Sequence, residues 1–260
     1  MTEPRPHYTE FRKRLSDREM VLGTFIKTPT GHATEIIGDL GFDFVVIDEE
    51  HAPFDRGSTD ATLVAARAAN TAGIVRVPSA SPSALLSVLD CGAMGVLVPH
   101  VDTPEKARAV VAACRYRDGH RGFSNSPRAG GYGRLGVWDH VDQADAQVTV
   151  IAMIEDPPAI DVIDTIVTTE GLDAVFIGRG DLTVSFGVAG PGTPEVKGAT
   201  ETITAAALKA GKAVIAMTPG GDDAKWLKGL GVSGMIVASD QGFMRQAAGR
   251  ALSEFRELDT

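Results

Sequence analysis

The stretch Val148-Thr-Val-Ile-Ala-Met-Ile-Glu155-Asp-Pro-Pro-Ala-Ile-Asp-Val-Ile-Asp-Thr-Ile-Val-Thr-Thr-Glu-Gly-Leu-Asp-Ala174-Val-Phe-Ile-Gly-Arg-Gly-Asp181 contains one complete strand–helix–strand unit. Its two apolar runs, Val148–Glu155 and Ala174–Gly178, are nearly continuous, the pattern of parallel strands covered on both faces. Pro158–Thr168 between them reads as a helix entered through prolines. Each run ends in polar chemistry: Glu155 after the first, Gly178-Arg179-Gly180-Asp181 after the second.

The same unit recurs on both sides. Val21–Ile26, Phe44–Asp48, Ile74–Val77, Gly95–Pro99, Ala213–Met217 and Gly234–Ala238 read as further strands. Ala33–Leu40, Ser58–Ala72, Pro82–Asp90, Pro104–Cys114, Pro194–Ala210 and Asp222–Leu230 read as helices. Thr103-Pro104-Glu105 and Thr193-Pro194-Glu195 each place a capping hydroxyl before a first-turn proline. Eight alternating units predict an α/β fold, a closed (β/α)₈ TIM barrel, in one domain spanning 1–260. An open doubly wound sheet rarely holds so many units, and neither GxGxxG after the first strand nor GxxxxGK[ST] is present.

Composition narrows the function classes. A net charge of −9 argues against nucleic acid and anionic membrane as partners, which need a basic surface. Two cysteines, Cys91 and Cys114, make no disulfide framework, and no apolar run reaches the roughly 20 residues of a membrane span. The polar start, Met1-Thr-Glu-Pro-Arg-Pro, has no apolar signal core. These features predict a cytoplasmic protein acting on small molecules.

Chemistry on a barrel sits at the C-terminal ends of its strands. There the sequence offers Asp48-Glu49-Glu50-His51 after strand two, Arg76 in strand three, Glu155 after strand five and Asp181 after strand six. Glu155 and Asp181, carboxylates on adjacent strands, are the metal candidates; oxygen ligands suit Mg²⁺, Mn²⁺ or Co²⁺. His51 can move a proton next to a carbonyl. His7, His32, His100, His120 and His140 are weaker candidates, and of these only His100 ends a strand. Arg76, in an apolar strand, needs an anion, either substrate or an internal acid such as Asp90 or Glu50. None of the predicted strands offers a lysine for Schiff-base chemistry. The irregular segment Tyr116–Ala146, with Arg121 and Arg128, is expected over the barrel mouth, or in a neighbour's site in an oligomer, where it would recognise an acidic second substrate.

Val45-Val-Ile-Asp-Glu-Glu-His-Ala-Pro53, Gly92-Ala-Met-Gly-Val-Leu-Val-Pro-His-Val-Asp-Thr103 and Val175-Phe-Ile-Gly-Arg-Gly-Asp-Leu-Thr-Val-Ser-Phe-Gly187 resemble the class II, metal-dependent pyruvate aldolases of the 4-hydroxy-2-oxoheptanedioate and 2-keto-3-deoxy-sugar-acid type. The resemblance runs from about Val21 to Asp240. It implies a barrel of the phosphoenolpyruvate/pyruvate-binding class, assembled as a hexamer (a trimer of dimers) with a C-terminal helix, about 240–258, exchanged between subunits. It implies a divalent metal on Glu155 and Asp181. His51 becomes the acid/base, supported by Asp48 and Glu50; Arg76 holds pyruvate and its enolate; Asp90 stands behind Arg76. The backbone near Gly180 and Asp181 takes the pyruvate carboxylate, and Arg128 suits an acidic aldehyde. Glu49, Met153 and Arg179-Gly180 depart from the family's usual glycine, glutamine and Pro-Ala. The reaction implied is cleavage or formation of 4-hydroxy-2-oxoacids from pyruvate or hydroxypyruvate and an aldehyde. An oxaloacetate-type decarboxylase, an acyl-CoA lyase and a non-catalytic keto-acid-binding barrel are the alternatives.

Overall fold

The computed structural model describes residues 5–257. Eight parallel strands close a barrel in chain order: β1 (Val21–Ile26), β2 (Phe44–Asp48), β3 (Ala72–Arg76), β4 (Gly95–Val98), β5 (Thr149–Ile154), β6 (Ala174–Ile177), β7 (Ala213–Thr218) and β8 (Gly234–Ser239), with β8 pairing back onto β1. The helices are α1 (Phe11–Ser16), α2 (Gly31–Asp39), α3 (Arg56–Ala68), α4 (Pro82–Asp90), α5 (Pro104–Cys114), α6 (Val137–Gln147), α7 (Pro157–Asp161), α8 (Ile163–Val167), α9 (Arg179–Phe186), α10 (Pro194–Lys209), α11 (Gly221–Leu230) and α12 (Asp240–Arg256).

The period of two along a strand divides the apolar residues between two regions. Phe44, Val46, Ile74, Ile151, Met153, Phe176 and Ile215 fill the barrel interior, which Phe11 and Leu15 of α1 plug from below. Val75, Val96, Val150, Ala152, Val175 and Val214 pack outward against the helices. Continuing the inward series brings Asp48 after Phe44 and Val46, Arg76 after Ala72 and Ile74, and Glu155 after Ile151 and Met153. Three charged side chains thus enter the top of the barrel by parity alone.

Several expectations change. Pro158–Thr168 is two short helices broken at Val162 (φ −116°, ψ 15°). Thr103 caps α5 through its hydroxyl, which accepts from the Lys106 N–H at 3.2 Å, but the Thr193 hydroxyl donates instead to the Gly190 carbonyl at 3.0 Å. The segment expected as a loop contains a 3₁₀ turn at Arg128–Gly130 and all but the last residue of α6. In this chain it does not lie over the mouth. It comes after α5, so it joins the lower, N-terminal ends of the strands. There Arg128 Nε donates to the Cys91 carbonyl just past α4 at 3.0 Å, and Nη2 pairs with Asp60 at 2.6 Å. Asp90 is also at that lower end, as the last residue of α4; it pairs with Arg121 at 3.4 Å and so stands away from Arg76.

The last helix ends at Arg256, and residue 258, like the first four residues, lies outside the described residues. Met244, Leu252 and Phe255 of α12 are exposed. Among the described residues no helix is long and apolar enough to cross a membrane.

Candidate active site

The β2–β3 side of the mouth is a closed electrostatic knot. Asp48 and Arg76 are register partners on neighbouring strands. Arg76 Nε donates to Asp48 Oδ1 at 2.9 Å and Nη2 to Oδ2 at 2.7 Å, a bidentate fork. The N–H groups of Glu50 and His51 also donate to Oδ1, at 3.2 and 3.1 Å. Burial would raise the Asp48 pKa, but Arg76 and Lys27 outweigh it and hold the carboxyl down at about 2. The remaining arm of Arg76, Nη1, lies 3.3 Å from Glu50 Oε2, which is also 3.6 Å from His51 Nε2. His51 is half-exposed at the rim, with its ring beside a carboxylate and its backbone fixed to Asp48. Arg76 also stacks over Phe25, 4.8 Å from the ring centroid.

Lys27 is a member of this knot that sequence reading missed. It stands one residue past β1, and its Nζ lies 2.9 Å from Asp48 Oδ2. Its backbone is pinned as well: the N–H groups of Lys27 and Thr28 donate to the two carboxylate oxygens of Asp240, the first residue of α12, at 2.8 and 3.0 Å. The signal available was a lone cation next to an apolar run, and only the closed barrel shows which acid it meets. Its engagement in an ion pair suits a fixed cation better than a Schiff-base nucleophile.

The β5–β6 side is the reverse. Glu155 is 2% exposed, and burial pushes its pKa up to about 7. The His100 N–H, donating to Oε1 at 2.9 Å, and the His100 ring oppose this shift; the charges of Asp181 and Glu50 add to it. His100 itself stands in the left-handed region (φ 54°), with Nδ1 3.0 Å from Asp156 Oδ2, and that acid raises its pKa. Gly178 makes room for Glu155: a Cβ there would fall 2.9 Å from Oε2 and 2.5 Å from the Glu155 Cβ. Asp181 is in the first turn of α9, where the N–H groups of Gly180 and Asp181 have no carbonyl partner within the helix.

A divalent cation fits this side. Buried Glu155 and nearby Asp181 are hard oxygen donors whose mutual repulsion a cation would reverse. Among the described residues no group of three or more His, Cys, Asp or Glu side chains could form a cage. Two carboxylates, with water and substrate filling the other positions, match the behaviour of a catalytic Mg²⁺-type ion. Arg179, where the resemblance expected proline, does not enter the mouth: it is buried in a bidentate pair with Asp223 at 2.8 and 2.8 Å, bracing the start of α9 against α11.

The structure thus brings Asp48, Glu50, His51, Arg76, Glu155 and the α9 start to one end of the barrel, together with Lys27 and His100. Asp90, Arg121 and Arg128 remain at the other. The profile of the HpcH/HpaI aldolase/citrate lyase family matches residues 22–245, and the chain belongs to that family. It is 34% identical over 250 residues to a 5-keto-4-deoxy-D-glucarate aldolase of Klebsiella pneumoniae, covering 95% of this chain and 97% of the relative. A solved HpcH/HpaI aldolase/citrate lyase family protein from Burkholderia cenocepacia superimposes with a TM-score of 0.90 at 31% identity, covering 95% of this chain and 99% of that one. The citrate synthase SbnG superimposes at 0.87 with 30% identity, covering 95% and 98%. The chain is accordingly an aldolase, a carbon–carbon lyase on a (β/α)₈ barrel.

Proposed function

We propose that this enzyme cleaves and forms 4-hydroxy-2-oxoacids, releasing or consuming pyruvate or hydroxypyruvate and an aldehyde, with a divalent metal on Glu155 and Asp181. The observation that carries the reading is the pair of opposed walls: a fixed guanidinium, Arg76, on one side and a buried acid, Glu155, on the other. A bound Mg²⁺, Mn²⁺ or Co²⁺ would supply Lewis-acid polarisation of the keto group.

The chain's own residues do the rest. The free N–H groups of Gly180 and Asp181 receive the carboxylate of the keto acid, aided by the helix dipole. Arg76, held rigid by Asp48, meets the enolate oxygen as charge develops there, an electrostatic contribution that needs no reorganisation. His51 takes the proton from the C4 hydroxyl, through a water, as the C3–C4 bond breaks; in the reverse direction it returns it. Glu50 orients His51 and occupies the last arm of Arg76. Asp48 keeps the arginine aimed. Met153 sits near the keto group where a polar amide is usual for the family, leaving Arg76 as the main polar contact on that side.

The aldehyde is not fixed by this geometry. The K. pneumoniae relative is named for a keto-deoxy sugar diacid, which supports a polyhydroxylated or acidic aldehyde. The exposed Met244, Leu252 and Phe255 of α12 support assembly of several copies through this helix, in a hexamer. Free buried Cys91 and Cys114 suit the reducing cytoplasm. Stripping with EDTA and then titrating Mg²⁺, Mn²⁺ and Co²⁺ into a pyruvate-release assay tests the reading. Restoration by a divalent ion is expected; full turnover in EDTA would overturn it.

A further inference from the structure

Strand parity puts a further charged side chain at the top of the barrel. Val21 and Phe25 of β1 belong to the interior, and Lys27, two residues past Phe25, continues their series. Its Nζ lies 2.9 Å from Asp48 Oδ2, and Arg76 Nη2 lies 2.7 Å from the same oxygen. One carboxylate oxygen thus serves two cations.

The two cations differ in what remains free. The Arg76 side chain is 7% exposed; its Nε and Nη2 engage Asp48, and its Nη1 faces Glu50 at 3.3 Å. The Lys27 side chain is 29% exposed, and Asp48 is its one acidic partner among the described residues. An ammonium carries three donors. Lys27 therefore reaches the mouth with N–H groups that the chain itself does not engage.

This charge is also held in place. The N–H groups of Lys27 and Thr28 donate to Asp240, and Gln241 Nε2 donates to the Lys27 carbonyl at 3.3 Å. Phe25 lies under both cations, with its ring centroid 4.8 Å from the Arg76 guanidinium and 5.8 Å from Lys27 Nζ. That ring packs edge-on against Phe176, 6.4 Å away. A cation anchored through its backbone, a carboxylate and a ring has little freedom left to lose when a ligand arrives.

Position points to the ligand. In a closed ring of eight strands, β1 stands four strands from β5 in either direction. Lys27 is therefore across the mouth from Glu155. A keto acid held on the β5–β6 wall, with its keto oxygen toward Arg76, occupies the near half. The far half is left to the aldehyde. Met217, inward on β7 after Ala213 and Ile215, is 43% exposed there, two strands from β1. An apolar surface near a cation suits a short carbon chain with an anionic end.

We infer that Lys27 is a specificity-determining residue, holding the terminal carboxylate of an acidic aldehyde while Arg76 serves the keto acid. The inference rests on the aldolase reading above and adds to it the group that selects the second substrate.

Aldol addition by the Mg²⁺-loaded enzyme at saturating pyruvate tests this, with succinic semialdehyde as the acidic acceptor and butanal as its neutral counterpart. Lys27→Met should lower kcat/KM for succinic semialdehyde by about tenfold more than for butanal, chiefly through KM, the scale of one charged hydrogen bond. Lys27→Arg, which keeps the cation, should retain most of the preference. In the unaltered enzyme, rising NaCl should raise KM for succinic semialdehyde and leave that for butanal flat, a readout that needs no variant to fold. Equal losses with both aldehydes in Lys27→Met would make Lys27 a prop for Asp48 and overturn the inference. So would an unchanged ratio, or a salt response that is the same for both acceptors. Pyruvate α-proton exchange in the unaltered enzyme separates the two levels. If exchange and addition proceed while the ratio ignores Lys27, only this assignment fails; if neither occurs with any divalent ion, the aldolase reading fails and this one with it.

Discussion

On the β2–β3 side of the mouth, Asp48 has no solvent exposure, yet Arg76, Lys27 and two backbone N–H groups surround it, and its pKa falls to about 2. On the β5–β6 side, Glu155 is almost as deeply buried, its neighbours include Asp181 and Glu50, and its pKa rises to about 7. Burial is nearly equal, so partners alone set the sign. One wall is complete within the chain and serves as a rigid template. The other is an acidic wall whose repulsion a cation from outside would relieve.

This contrast breaks most readily by deleting each acid. Asp48→Ala should cost about 3–5 kcal/mol of stability in urea unfolding, because it strands two cations at a buried site. Glu155→Gln in metal-free protein should cost nothing at pH 8, and Glu155→Ala and Asp181→Ala should stay folded. All three should lose metal-dependent turnover by about 10³-fold or more, the worth of several kcal/mol of Lewis-acid stabilisation. Full activity in any of them would remove the metal from this wall. His51→Ala comes next, with carbon–carbon cleavage slower by roughly 10²–10⁴-fold and metal affinity unchanged. Lost metal affinity would make His51 a ligand.

The pH dependence sharpens the same comparison. Glu155 has a raised pKa, so between about 4.5 and 7 the folded state binds more protons than the unfolded one. Stability in EDTA should therefore fall as pH rises through that window, by up to about 3 kcal/mol, and added metal should restore it. Asp48 has a lowered pKa, so its contribution is present above about pH 3.8 and is lost as pH falls through about 2. Two separate limbs in urea midpoints against pH are expected; a single acid limb unaffected by metal would contradict the assignment.

Periodicity decided how much was legible. The strands were, because parallel strands covered on both faces read as unbroken apolar runs, and the inward series of β3 and β5 carries straight into Arg76 and Glu155. Lys27 was not, since its partner lies on the next strand and its role exists only once the ring closes. The α6 helix was obscured because Gly136 gives it no side-chain cap and its sequence mixes Asp, Gln and His. Within one chain the Arg121–Arg134 segment and Asp90 stand at the far end from the mouth, for a topological reason. A segment after a strand rises to the mouth, whereas a helix returns the chain to the base, and the residues after it start from there.

The smallest effect belongs to that segment. Arg128→Ala should leave pyruvate α-proton exchange unchanged and cost about 1 kcal/mol of stability through its lost contacts to Asp60 and the Cys91 carbonyl. The ranking of acidic against neutral aldehydes should also hold; a changed ranking would show the segment reaching a neighbouring subunit's mouth.

The Asp240 carboxylate has a further consequence for how the enzyme comes into being. It fastens Lys27 and Thr28, near the start of the chain, to a helix near its end. A ribosome makes the Asp48–Arg76 pair early, but the cation beside it receives its backbone anchor only after β8 and the first turn of α12 have emerged. The nascent chain therefore carries an unfinished site until β8 and the first turn of α12 have been made, and a product truncated before Asp240 would carry the knot without its latch.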